Sequence, residues 1–335
     1  MKRLRWLPLA LGGLGVTACE TMMPGDPGNL VPPTVAEDSR LPAIEMNGSR
    51  FHAQFFGNPA NPVIVFLHGG PGGDYRSMLR LSERFNGYSL ADEYFLVYWD
   101  QRGSGLSMRH GKELLTLAVY SNDLDSLVNR YSPGRPVILI GESWGGMFAT
   151  SYINDHPGRV AGAVLIEPGP LDGATAERIK PDMFDLDLTS EWLNDYAWNS
   201  GFFTADDYAR MDYERMLGLR DAQPLFHEDR VNPLPVWRLG ALASRYIQKD
   251  GQDERGVSVY DFTANLAAFT APVLFIAGSW SEVLGPSLQQ QQMLRYPSAT
   301  LQVVEGAGHD VAWVKTPEVL TLIKGYLDAR KGSIQ

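Results

Sequence analysis

Cysteine is all but absent. The single Cys19 excludes an intrachain disulfide framework. Long apolar runs are missing too. The best N-terminal stretch, LPLALGGLGV (7–16), is broken by Gly and Pro and falls short of the roughly 20 residues that a spanning helix needs. Basic charge is scarce: 29 Lys and Arg stand against 39 Asp and Glu, a net charge of -10. That argues against a nucleic-acid partner, because phosphate binding wants a basic face. No H-E-x-x-H, C-x-x-C or comparable ligand spacing occurs, so no metal is assigned. Internal repeats and heptad runs are lacking, and low complexity is confined to Gln289 to Gln292, short enough to be the surface of a helix. What is there is ordinary globular composition, 44 % hydrophobic and 20 % charged over 335 residues. Such a chain can bury a large core as one domain with an insertion, or as two domains.

The one cysteine stands in an informative place. Lys2, Arg3 and Arg5 precede the apolar stretch, and Thr17 and Ala18 put small residues before Cys19. A basic start, a short apolar region and a small-residue cleavage site describe a secretory signal. Val16-Thr17-Ala18-Cys19 resembles a bacterial lipobox, in which the cysteine is lipidated and becomes the first mature residue. Residues 1–19 are therefore expected to be a lipoprotein signal peptide. Residues 20–40, rich in Pro, Gly and polar side chains, are expected to be a flexible tether. Together they lead one to expect a protein at the bacterial cell envelope, held to a membrane through Cys19.

Further along, apolar strands alternate with helices. RFHAQFFG (50–57) suits an early antiparallel strand. NPVIVFLHGG (61–70), EYFLVYWDQRG (93–103), PVILIGESWGG (136–146), RVAGAVLIEPG (159–169), APVLFIAG (271–278) and ATLQVVEGAGH (299–309) read as buried strands. Helical patterns fall at 115–131, 145–157, about 286–296 and 316–331, the last with Pro317 at its opening. This alternation indicates a doubly wound, mostly parallel sheet with helices on both faces. It fails between about 172 and 262, where SEWLNDYAWNS (190–200) and DDYARMDYERMLGLR (206–220) have helical character. The expected organisation is a core of 41–171 and 263–335 with a helical cap inserted at 172–262. Residues 171–270 carry 18 acids and 10 bases, a net of -8, so most of the negative charge lies in this region.

The chemistry centres on Gly141-Glu142-Ser143-Trp144-Gly145, a G-x-S-x-G between a strong strand and a helix. Flanking glycines allow a sharp turn that projects Ser143 into a cleft, and the adjoining helix N-terminus favours developing negative charge. A serine hydroxyl needs a base to take its proton. His309, in GAGHD (306–310) after the last strand, has the right position and chain order. His52, His110, His156 and His227 lack such a setting and read as surface or packing residues. Oxyanion donors are also required. His68-Gly69-Gly70-Pro71-Gly72-Gly73 follows a buried strand and lets backbone approach substrate closely. The N–H of Trp144 is one expected donor, and that of Gly70 the other, with Gly69 as alternative. His68, Asp100 and Arg102 read as braces for their loops.

HGGPGG (68–73), WDQRGSGLS (99–107) and GESWGG (141–146) jointly resemble the prolyl aminopeptidase (proline iminopeptidase) branch of the α/β-hydrolases. Fold-level likeness covers about residues 45–330, and no motif covers the cap. The resemblance implies an α/β-hydrolase fold and hydrolysis of an ester or amide bond without a cofactor. In peptidases of this family acidic cap residues hold the substrate's free amino end, and the acidic cap here is compatible with that. The pattern breaks at the triad acid. The family usually supplies it three residues beyond the glycine after the penultimate strand, and here that residue is Ser281. Two replacements are available. Glu282 serves if the loop is shifted by one. Glu167 ends the strand after the nucleophile helix, where the haloalkane dehalogenases draw their acid, and a glutamate after the buried run AVLI needs a partner such as His309. Glu167 is the favoured choice.

The resulting expectation is a serine hydrolase with Ser143, Glu167 and His309 as triad, acting through an acyl-enzyme on a small molecule or short peptide. An aminopeptidase-like activity leads, and a carboxylesterase or lactonase of small molecules is the alternative. A noncatalytic envelope binding protein is the rival that Ser281 motivates.

Overall fold

A strand buried on both faces reads as an unbroken apolar run, and that is how the central strands are written. The computed structural model describes residues 31–179, 207–220 and 236–330. β3 (Val63–Leu67), β4 (Phe95–Trp99), β5 (Val137–Glu142) and β7 (Val273–Gly278) are buried at every position, and β6 (Val160–Ile166) at all but Ala161. β1 (Ala43–Met46), β2 (Ser49–Phe56) and β8 (Ala299–Val304) complete an eight-stranded sheet of order β1-β2-β4-β3-β5-β6-β7-β8. β1 and β2 run antiparallel to their neighbours, and the other six strands are parallel. β8 is the exposed edge, with only Val304 buried.

The longer helices are α1 (Leu117–Tyr131), α2 (Trp144–Asp155), α3 (Asp207–Arg220), α4 (Ala241–Asp250), α5 (Pro286–Met293) and α6 (Thr316–Asp328). Local chemistry starts several of them. The Thr116 hydroxyl accepts from Val119 N–H to cap α1, and Pro occupies the first turn of α5 and α6. Alternate side chains of the strands feed two layers. Val65, Leu67, Leu139 and Leu165 pack with Leu124, Leu127, Phe148 and Tyr152 of α1 and α2. Ile64, Ile138, Val164 and Ile276 pack with Met78 and with Leu320 and Ile323 of α6. The fold is thus the doubly wound, mostly parallel α/β sheet, with helices on both faces.

Beyond β6 the sheet pauses until β7. The two ends of this insertion meet: Phe262 N–H donates to Leu171 O at 3.0 Å, and Asp172 bridges Asp261. Within it α3 and α4 are described, whereas the expected helical stretch at 190–200 lies outside the described residues. So do His227 and Cys19 with its signal.

The tether expected at 20–40 is corrected over its second half. Residues 31–40 are laid onto the domain. Val35 is fully buried, its N–H donates to Leu106 O at 2.8 Å, and its carbonyl accepts from Arg50 at 2.6 Å. Thr34 is buried as well, and Pro32 O accepts from Arg238 at 2.8 Å. Pro and polar composition suggested a free linker, but two valines and the backbone itself find partners. A chain beginning at Leu41 is accordingly expected to be less stable than one beginning at Val31 by about 2–4 kcal/mol, from lost valine burial and hydrogen bonds. Urea unfolding of the two chains measures it, and equal midpoints would show that the segment contributes nothing.

Candidate active site

β5 ends at Glu142, α2 begins at Trp144, and Ser143 alone makes the turn between them. It does so at φ 54°, ψ -119°, in a region that side chains rarely adopt. The turn is held by Ser143 N–H donating to Ile166 O at 2.9 Å and by Gly146 N–H donating to Ser143 O at 3.0 Å. Gly145 has no room for a side chain, since a Cβ there would collide with the Leu67 carbonyl at the end of β3. This close approach brings the elbow against the loop that follows β3. The neighbours confirm it: a Cβ on Gly69 would lie 3.1 Å from Ser143 Cβ and 3.8 Å from Ser143 Oγ.

Glu167, the residue after β6, also turns at positive φ, 41°. Its N–H donates to Ile276 O at 2.9 Å, and its side chain is fully buried. Three donors meet the carboxylate. Gly278 N–H reaches Oε1 at 2.7 Å, and Ser281 Oγ–H and His309 Nδ1–H reach Oε2 at 2.8 Å each. An acceptor at Nδ1 places the proton there and leaves Nε2 as the basic nitrogen. Burial alone would depress His309, but the hydrogen bond and charge of Glu167 outweigh it, with Asp310 and Glu142 adding. The imidazole is raised to about 9. Of the two candidate carboxylates, then, Glu167 is the one joined to His309, and Glu282 is exposed. Ser281, the position at which the resemblance leads one to expect an acid, instead donates to Glu167. Among the described residues no hydrogen bond joins Ser143 Oγ to His309. Such contacts are commonly long without substrate and tighten when it binds.

The glycine-rich loop is braced by one residue that sequence reasoning missed. Gln101 follows Asp100 after β4 and is fully buried. Its N–H donates to His68 Nε2 at 2.9 Å, and its side-chain NH2 donates to His68 O at 3.1 Å. Its Oε1 accepts from the indole N–H of Trp144 at 3.0 Å. Gln101 therefore ties the loop carrying Gly69 and Gly70 to the residue after the elbow. His68 donates from Nδ1 to Gly69 O at 2.8 Å, and burial lowers its pKa, so it stays a neutral brace. Asp100 accepts from Tyr75 N–H, Leu106 N–H and His52 Nδ1, while Arg102 pairs with Asp123 of α1 at 2.7 Å. The only sequence signal for Gln101 is its place between Asp100 and Arg102.

Glu142 was also missed. It is buried on the face opposite Gly141, takes a hydrogen bond from Ser77 Oγ–H, and is raised by burial. Its Oε1 has no hydrogen-bond partner among the described residues.

Fold and site together define a hydrolase. The family model described as alpha/beta hydrolase fold matches residues 62–316, and the chain belongs to that family. A proline iminopeptidase of Pestalotiopsis fici is 26 % identical over 293 residues, covering 85 % of this chain and 98 % of its own. Among solved structures, a proline iminopeptidase of Mycobacterium smegmatis superposes with a TM-score of 0.59 at 18 % identity, over 86 % of this chain and 97 % of its own. An esterase from Exiguobacterium antarcticum does so with a TM-score of 0.59 at 17 % identity, over 86 % and 99 %. At such identities the superpositions speak for the fold alone.

The raised His309 pKa has a consequence for stability. A group whose pKa is higher folded than unfolded stabilises the fold fully below its unfolded value, and the gain is lost as pH rises through the folded value. The His309–Glu167 pair is thus expected to contribute on the order of 2–3 kcal/mol near pH 6 and to lose it as pH rises through about 9. Urea unfolding of the native chain and of His309→Gln across that range measures the difference. A gap between them that is flat with pH would contradict the assignment.

Proposed function

We propose that the chain is a serine hydrolase that cleaves ester or amide bonds through an acyl-enzyme, with aminopeptidase-like action on short substrates. The observation that carries this reading is the 2.8 Å hydrogen bond from His309 Nδ1 to Glu167, beside a serine held at an elbow of positive φ. Ser143 Oγ attacks the carbonyl carbon as His309 Nε2 takes its proton. The N–H groups of Trp144 and Gly70 receive the oxyanion. His309 then protonates the leaving group, and water, deprotonated by the same nitrogen, releases the acid. Glu167 keeps the proton on Nδ1 and stabilises the imidazolium. The same geometry opposes the binding-protein rival, since the carboxylate missing at Ser281 is supplied from Glu167. The aminopeptidase preference draws on the Pestalotiopsis relative and on the acidic composition of 171–270. We also propose that Cys19 carries a lipid anchor that holds the enzyme at a bacterial envelope membrane, on the lipobox-like Val16-Thr17-Ala18-Cys19.

Two measurements test the catalytic part. Proline p-nitroanilide and p-nitrophenyl butyrate are compared as substrates, with Ser143→Ala as control. Serine-dependent release of the anilide is expected. Cleavage of the ester alone would turn the reading to an esterase or lactonase, and turnover that survives Ser143→Ala would remove Ser143 as nucleophile. The pH profile is the second. Only neutral His309 is a base, so kcat/KM is expected to rise with pH around a midpoint near 9 rather than 6.5. In Glu167→Gln the midpoint moves down toward the ordinary value, and kcat falls by roughly 10³ to 10⁴. An unchanged midpoint in that variant would dissociate Glu167 from the base.

A further inference from the structure

Beyond the triad, a second set of contacts converges on the glycine-rich loop, and it comes from the insertion. Residues 236–241 return toward α4 and run directly against this loop. Gly240 N–H donates to Gly72 O at 2.7 Å. The Asp74 carboxylate, buried at the loop's end, accepts at Oδ2 from Trp237 N–H at 2.6 Å and Arg238 N–H at 3.1 Å, and at Oδ1 from Arg76 N–H at 3.0 Å. Arg76 in turn donates to Val236 O at 3.1 Å. The fit leaves no slack. A Cβ on Gly72 would lie 2.5 Å from Gly240 O, and one on Gly240 would collide with the carbonyl of Gly103. The return segment is therefore wedged between the loop after β3 and the turn after β4.

Its other side is fixed to the cap. Asp212 of α3 accepts from Arg238 Nε–H at 2.7 Å and from Ala241 N–H at 2.8 Å. Asp212 is also paired with Arg109 at 3.0 Å, and all three charged side chains are buried. The Trp237 ring packs edge-on against His52 and Tyr75, at centroid distances of 5.4 and 5.2 Å. A buried acid group needs hydrogen-bond partners, and all three donors that meet Asp74 here are main-chain N–H groups, from two separate segments. None of these contacts includes Ser143, Glu167 or His309.

We propose that Asp74 is a positioning residue that couples the cap's return segment to the oxyanion loop, so that Gly70 is held in its working place only while residues 236–241 are docked. This rests on the reading of Gly70 as an oxyanion donor. The coupling makes the return segment of the insertion a structural part of the reaction site. A donor displaced by about 1 Å loses much of its effect on a developing oxyanion, which is felt in turnover more than in binding.

The test compares Asp74→Ala with the native enzyme, using whichever chromogenic substrate is turned over, with active serine counted by a fluorophosphonate. The expected result is a kcat per titrated serine lower by about 10- to 100-fold, with KM changed less than about threefold. Hydrogen exchange is expected to quicken in both 69–73 and 236–241. Trp237→Ala removes the ring contacts of the segment with His52 and Tyr75 and leaves Asp74 intact, and is expected to give the same kcat-selective loss even if the first variant does not fold. An unchanged kcat per titrated serine in Trp237→Ala overturns the proposal. So does exchange that quickens in only one of the two segments. The exchange readout does not depend on the chemistry. Turnover that survives Ser143→Ala would refute the catalytic reading by itself, while exchange reports separately on the coupling.

Discussion

A carboxylate sealed from water must find hydrogen-bond donors or give up its charge, and the arrangement of this site follows from how Glu167 meets that demand. Oε1 takes the Gly278 N–H, and Oε2 takes the Ser281 hydroxyl and His309 Nδ1. Those donors come from the end of β7, the loop after it and the loop after β8. One buried glutamate thereby fixes the relative positions of three chain segments and sets the tautomer of the histidine. It also raises the histidine's affinity for a proton, against the opposing effect of burial.

The sheet makes such convergence possible. Parallel strands β5 to β8 end on the same edge, where open α/β sheets carry their sites. Two adjacent strands, β5 and β6, are each followed by a residue of positive φ, Ser143 and Glu167. Such conformations persist where the surroundings over-determine them. Here each is pinned by main-chain bonds across the sheet, Ser143 N–H to Ile166 O and Glu167 N–H to Ile276 O. The buried central strands therefore aim two strained residues at one place. Gln101 then sets the distance between the elbow and the glycine-rich loop from a third strand end.

The features legible in the sequence were those written within a few neighbouring residues. The G-x-S-x-G elbow, the glycine run 68–73 and the buried strands are local patterns, and the structure places each where that pattern puts it. Glu167 is readable as a candidate because a glutamate closing an apolar strand needs a partner, whereas the choice between it and Glu282 rests on the bond from His309 to Glu167. Gln101, Glu142 and Asp74 carry no such mark, and Ser281 is marked as a departure from the family pattern but not as a donor. Each acts through a group 33 to 163 positions away in the chain, such as His68 for Gln101 and Trp237 for Asp74. The segment 31–40 misled for a related reason. Its composition is that of a linker, and its order comes from partners at Leu106, Arg50 and Arg238.

The sequence by itself determined the fold class, the elbow serine, the histidine after the last strand and the glycine-rich loop, because hydrophobic periodicity and turn chemistry are short-range. Tertiary structure alone decided which carboxylate is hydrogen-bonded to His309, what braces the loop beside Ser143, and that the insertion meets that loop at Asp74. Those outcomes depend on which strand ends lie side by side. That order is set by the packing of a sheet whose neighbours are far apart in the chain.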